Sequence, residues 1–279
     1  LGQWTSASDT EYDAIHAITG EHIGRVSSLG LNYDDILQYG RDKGGKSLRE
    51  MTFPMRGLML KRLALFLQEK KETYYAVSYA TGATRSDSWI DIEGGIGNLF
   101  TYASLRREFS DQSFHFDGSP VKLSQAGTFS GQHIMVPKQG VAVHINSFNF
   151  PVWGMLEKIA VNLLAGVPAV VKPSEYTSFL TEAVVRDIIE SRILPEGALQ
   201  LVSGKGIGIL DSVQRGDTVT FTGSAKTGLS LKSSAHYLER GVPFNLEADS
   251  LNAMVMGEDV KPESPEFKIF FGFTVYPFL

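Results

Sequence analysis

The apolar positions of this chain change period along its length. Over Asp34 to Tyr39 and Met55 to Tyr79 they recur at helical spacing, with Met59, Leu63, Phe66 and Leu67 on one stripe. Asp87 to Ser104 continues in helical style despite Gly94, Gly95 and Gly97, so the first third is expected to be mainly helical. From Pro120 to Pro137 the pattern shortens to two extended segments, Pro120 to Leu123 and Ser130 to Val136, which suits a β-hairpin. After Gly140, β-branched runs alternate with helical stretches. The expected strands are Val141 to Ile145, Val167 to Val171, Ala198 to Val202, Thr218 to Thr222, Phe244 to Leu246 and Ala253 to Met256. The expected helices are Trp153 to Ala165, Thr181 to Ile193, Ile207 to Gln214 and Ala225 to Ala235. This alternation predicts an α/β fold built on a parallel, doubly wound sheet. The tail from Ile269 to Leu279 is aromatic-rich and uncharged and shows no helical period.

Composition narrows the function classes. The 279 residues, 43% of them hydrophobic and 20% charged, suffice for one or two globular domains with a sizeable core. A formal charge of -5 without clustered Lys and Arg argues against nucleic acid as a partner. The longest apolar stretch, Ile159 to Val171, is broken by Asn162, Gly166 and Pro168, so no bilayer-spanning helix is expected. No charged-then-apolar leader follows Leu1, and the cytoplasm is the expected location. The absence of cysteine excludes disulfides and thiolate metal sites, and the six His show no i, i+4 pairing, so no metal is expected. Gly40 to Ser47 satisfies the P-loop pattern, but a polar, capped helix from Asn32 to Tyr39 precedes it instead of a buried strand. A phosphate cradle needs the strand.

The candidate chemistry gathers where strands end. Ser147-Phe148-Asn149-Phe150-Pro151 joins the strand at Val141 to the following helix, and Lys172 and Glu175 leave the next strand at the same edge. In an open α/β sheet that edge is where ligands bind. This turn, the V-V-K-P-S-E run, Phe221-Thr222-Gly223-Ser224 and the strand end Leu246-Glu247 together resemble the NAD(P)-dependent aldehyde dehydrogenase superfamily, in order and in spacing. Within it, Thr81 to Leu105, His144 to Lys158 and Asn245 to Asn252 are most similar to the aldehyde dehydrogenase part of the bifunctional ring-opening enzymes of bacterial phenylacetate degradation. The similarity covers nearly the whole chain.

The resemblance implies oxidation of a small-molecule aldehyde, a semialdehyde linked to coenzyme A, with NAD or NADP, in a homo-oligomeric parent. It divides the chain into a helical part (residues 1–117), an oligomerisation hairpin (118–138), a Rossmann-like cofactor-binding domain (139–260) and a tail where the catalytic domain would begin (261–279). Asn149 matches the side-chain oxyanion donor, with helix capping as its alternative. Lys172 and Glu175 match the pair on the adenosine ribose. A carboxylate accepts from a 2′-hydroxyl and repels a 2′-phosphate, which favours NAD, whereas the resembled enzymes are associated with NADP; both remain open. Phe221, Gly223, Ser224 and Gly228 match the segment where a strand gives way to a helix N-terminus beside the pyrophosphate, Ser224 doubling as an N-cap. No G-x-G-x-x-G is present, and Gly204 to Gly208 reads as a loop entering the next helix. Glu247 matches the general base, although the usual E-L-G-G-K is here Glu247-Ala248-Asp249-Ser250-Leu251. Lys158 is either part of a proton relay or a helix-surface lysine. The nucleophilic thiol is missing, so the chain as given is expected to be inactive. The alternatives are an aldehyde dehydrogenase of another substrate, or a nucleotide-binding fragment without turnover.

Overall fold

The computed structural model describes residues 2–7, 9–249 and 255–275. It opens with a hairpin of β1 (Tyr12–Ile15) and β2 (His22–Val26), absent from the sequence expectation. Only Ala14 and Val26 of these strands are buried, so almost no apolar alternation marks them. Helices α1 (Tyr33–Tyr39) and α2 (Gly45–Glu50) flank a π-helical turn at Gly40–Gly44, so the P-loop pattern lies in continuous helix. The stretch expected as one helix from Met55 to Tyr79 is two, α3 (Phe53–Glu69) and α4 (Lys71–Ser78), jointed at Lys70. Helix α5 (Arg85–Ser104) starts with a capping box between Thr84 and Asp87. A second hairpin, β3 (His115–Lys122) with β4 (Ser130–Met135), exposes Phe116, Val121, Phe129 and Ile134.

The remaining described strands form the central sheet. They are β5 (Ala142–Ile145), β6 (Ala169–Lys172), β7 (Leu199–Leu201), β8 (Thr218–Gly223) and β9 (Phe244–Ala248). Every pairing among them is parallel, in the order β7-β6-β5-β8-β9. Helices α6 (Trp153–Leu164), α7 (Ser178–Ser191), α8 (Ala225–Lys232) and α9 (Ala235–Arg240) fill the crossovers. The chain leaves β5 for β6 on one side and reaches β8 on the other, so the topological switch point lies between β5 and β8. One core, with Leu63, Leu99, Leu156, Ile159 and Val171, lies beneath α3, α5 and α6. The other face buries Leu37, Val143, Val170, Val219 and Tyr237.

Two further expectations give way. Left-handed backbone at Gly206 (φ 64°) and Gly208 (φ 87°) holds off the helix expected from Ile207, and only a 3-10 turn forms at Ile209–Ser212. Of the tail that showed no helical period, the described residues, to Val275, are helical: α10 (Pro265–Val275) carries Pro at its first position, and Ser264 Oγ accepts from Phe267 N–H at 3.1 Å. A run such as Ile269 to Val275, without a charged position, has no stripe from which to read a period. Of the strand expected at Ala253 to Met256, Ala253 and Met254 lie outside the described residues, and Val255 and Met256 are not in a strand.

Candidate active site

The turn after β5 carries Asn149, and its local structure separates the two roles open to that residue. The first N–H groups of a helix need acceptors, and a side chain just ahead of α6 would ordinarily supply one. Here the acceptor comes from α5: Asp91 takes hydrogen bonds from Val152 N–H at 3.1 Å and Trp153 N–H at 2.7 Å. Asn149 does not cap the helix. Its Oδ1 accepts from Ser147 Oγ at 2.6 Å, which leaves its amide nitrogen as a donor. Asn149 and Asp91 both line a cavity of about 260 Å3 with Phe148, Phe150 and Thr177. Asp91 is 5% exposed, and burial pushes its carboxyl up to about 7 against the pull of the two N–H groups.

Glycine brings α5 and α6 close enough for this contact. A Cβ on Gly94 would lie 2.1 Å from Trp153 Cζ3, and one on Gly95 2.9 Å from Trp153 Cα. Trp153 Nε1 donates to Glu157 Oε2 at 2.9 Å, which fixes the indole over this stripe.

Lys172 closes β6, paired in register with Ile145, and its side chain is 10% exposed. Its ammonium lies 3.2 Å from Glu175 Oε2, so the carboxylate keeps acceptor capacity while the pair neutralises itself. Exposed Phe148 and Tyr176 meet edge to face beside the pair, with centroids 6.4 Å apart.

Across the switch point, Phe221 is buried and packs beneath two glycines. A Cβ on Gly223 would meet its Cζ at 2.7 Å, and one on Gly228 would meet its Cδ1 at 3.1 Å and Leu246 Cδ1 at 2.2 Å. Phe221 and Gly228 thus let α8 approach the sheet. Ser224 caps α8 by accepting from Thr227 N–H at 3.2 Å. The next N–H, of Ala225, lies 3.3 and 3.4 Å from the two oxygens of Asp249, which holds φ 53° where most L-residues are strained.

Glu247 leaves β9 with its side chain 62% exposed. It accepts from Thr222 Oγ1 at 2.9 Å and lies 3.8 Å from Lys158 Nζ. Lys158 is no surface lysine: its side chain is 9% exposed, and its ammonium donates to Gly154 O and Glu157 Oε1. Below it, buried His144 on β5 lies between Thr220 Oγ1 (2.6 Å) and Asn162 Oδ1 (2.8 Å). Asn162 Nδ2 donates to Val167 O, so its oxygen faces the ring, His144 Nε2 carries the proton and Nδ1 accepts from the Thr220 hydroxyl. Burial, with Lys158 nearby, pulls His144 down to about 4 despite the Asn162 hydrogen bond.

The structure therefore puts Asn149, Lys172, Gly223, Ser224 and Glu247 at the carboxyl edge of one sheet. Sequence reasoning missed Asp91, His144 and Asp249. Only Asp249 carried a signal, as the acid at the third position of the altered E-L-G-G-K. Among the described residues no group of three or more His, Asp or Glu could hold a metal ion, and no helix is long and apolar enough to cross a membrane.

The aldehyde dehydrogenase family profile matches residues 4–276. Over 269 residues the chain is 38% identical to 3,4-dehydroadipyl-CoA semialdehyde dehydrogenase from Aromatoleum evansii, an overlap of 96% of this chain and 52% of that protein. It is 27% identical over 261 residues to 2,5-dioxopentanoate dehydrogenase from Saccharolobus solfataricus, covering 90% of this chain and 52% of that one. A solved structure of betaine aldehyde dehydrogenase from Staphylococcus aureus in complex with NAD+ superposes with a TM-score of 0.71 at 22% identity, over 88% of this chain and 49% of that one. The chain spans about half the length of the curated relatives it matches.

Proposed function

The chain belongs to the aldehyde dehydrogenase family, and from that premise we propose that it is the cofactor-binding part of an enzyme oxidising a coenzyme A-linked semialdehyde, from an opened aromatic ring, to the free acid. The observation that carries this reading is the Lys172–Glu175 pair, 3.2 Å apart at the sheet's carboxyl edge. A dinucleotide fits these residues: the Lys172 ammonium donates to a ribose hydroxyl and the Glu175 carboxylate accepts from one, with Ser224 and the Gly223 backbone beside the pyrophosphate. NAD or NADP, when bound, supplies the hydride acceptor. Asn149 donates its amide N–H to the oxyanion that forms when a thiolate adds to the aldehyde. Glu247 takes a proton from the water that releases the acid, with the Lys158 ammonium 3.8 Å from its carboxylate. The thiolate belongs to the part of the parent beyond these 279 residues, since the chain has no cysteine. The substrate class is supported by the name of the Aromatoleum evansii relative and by the motifs shared with ring-opening enzymes.

Calorimetric titration of the chain with NAD+ and NADP+ tests the cofactor part. Lys172→Ala should weaken binding of the preferred cofactor by about 1–3 kcal/mol, the scale of a charge-assisted hydrogen bond. Unchanged affinity would remove this edge as the cofactor site. No aldehyde-dependent NADH or NADPH should form with the chain alone, because no other side chain here attacks, holds and releases an acyl group as a thiolate does. Turnover by the purified chain would overturn that part.

A further inference from the structure

We propose that the N-terminal hairpin belongs to the cofactor site, with Glu11 as a positioning residue that acts on Lys172 through Ser28 and the loop at 204–206. The proposal rests on the reading of Lys172 as a cofactor-binding residue. Glu11 Oε2 accepts from Ser28 N–H at 2.6 Å, Ser28 Oγ–H at 2.8 Å and Lys205 N–H at 3.2 Å. Ser28 Oγ in turn accepts from Gly206 N–H at 3.0 Å. One carboxylate and one buried hydroxyl thus tie β2's exit to a loop that lies far downstream in sequence.

That loop bears directly on Lys172. A Cβ on Gly206 would lie 3.0 Å from Lys172 Cγ, 3.4 Å from Cε and 3.5 Å from Cδ, so the Gly206 backbone forms one wall of the lysine stem and limits where its ammonium can go. Gly204 is shaped for the hairpin: at φ 119° its missing Cβ leaves room for Ser28 N and Glu11 Oε2, which would otherwise stand at 2.4 and 2.5 Å. The neighbouring Tyr12 reaches the other flank. Its ring meets Tyr176, next to Glu175, edge to face at 5.1 Å. With only Ala14 and Val26 of its strands buried, the hairpin has little apolar surface to hold it in place. The turn of the hairpin is tied by Ala17 N–H to Ala80 O at 2.8 Å and by the His16–Tyr79 ring contact, whereas at its open end Glu11 and Tyr12 each reach a neighbour of the Lys172–Glu175 pair, Glu11 the loop at 204–206 and Tyr12 the ring of Tyr176.

The test is a double-mutant cycle on the chain, read as the Kd of NAD+ and NADP+ by calorimetry, with thermal unfolding alongside. Glu11→Gln keeps the shape of the side chain and should raise the Kd roughly tenfold, within the range for residues sharing one hydrogen-bond network. In a Lys172→Ala background the same change should shift the Kd by less than about twofold, because the residue it acts through is gone. Ser28→Ala, a milder cut in the same chain, should act in the same direction and serves if Glu11→Gln does not fold. Equal losses in both backgrounds, or a lowered melting temperature with unchanged Kd, would make Glu11 a structural anchor and overturn the proposal while leaving the cofactor reading intact. If Lys172→Ala alone leaves the Kd unchanged, the cofactor reading fails and the proposal with it.

Discussion

His144 and Asp91 bracket the turn that carries Asn149 and bias stability in opposite directions. For His144 the folded value of about 4 lies below its ordinary 6.5, so between these limits the unfolded chain binds a proton that the folded one refuses, and stability falls as pH drops through the window. For Asp91 the folded value of about 7 lies above 3.8, so the folded chain keeps a proton that the unfolded chain has released, and stability falls as pH rises from 3.8 to 7. The two slopes oppose each other across most of the range. Asp91→Asn should therefore expose the histidine alone: urea unfolding from pH 7 to pH 4 should show a loss of up to about 3 kcal/mol, compared with a flatter parental curve. Matching curves for both proteins would refute this balance. Asn149, Lys172 and Glu247 were legible because each sits in a short linear motif. Asp91 was not, since the helix it caps begins 62 residues further on and no local pattern records that distance.

Between elements, the contact of α5 with α6 sets the frame of the turn, and two glycines on α5 make opposite predictions. Alanine is favoured over glycine inside a helix by about 1 kcal/mol. At Gly97, where an added Cβ meets nothing within 4 Å, Gly97→Ala should realise most of that gain. At Gly94 the methyl would run into the Trp153 ring, and the overpacking cost of about 1–3 kcal/mol should outweigh it. Denaturant midpoints of the two variants should move to opposite sides of the parent; movement in the same direction would mean that the indole yields freely. Helix α3 was readable from sequence because one side is buried and the other wet, and the central strands, with a core on each face of the sheet, because they read as short β-branched runs. The first hairpin escaped because its burial is confined to Ala14 and Val26, and α10 because its sequence from Ile269 to Val275 holds no charged position to set off an apolar stripe. The helix expected at Ile207 failed for a backbone reason, the left-handed glycines at 206 and 208.

On the scale of the whole molecule, the chain holds the proposed cofactor edge of the sheet and a hairpin with exposed apolar side chains. Phe116, Phe129 and Ile134 are each about half exposed or more on a two-stranded ribbon with open edges, an arrangement that invites pairing with another chain. The isolated chain should self-associate, and Phe129→Lys with Ile134→Lys should shift its sedimentation towards monomer; an unchanged distribution would locate association elsewhere. The doubly wound sheet was legible as a whole because alternation of strand and helix leaves few topologies, whereas contacts that span the chain, such as Glu11 with Lys205, were not. The Asp91 cap also constrains recombination among relatives. A crossover between residues 91 and 152 parts the carboxylate from the two N–H groups it serves, and a chimera that inherits at 91 a side chain without an acceptor starts α6 about 1–2 kcal/mol poorer. Viable hybrids should join outside that interval or carry Asp or Asn at 91 in both parents.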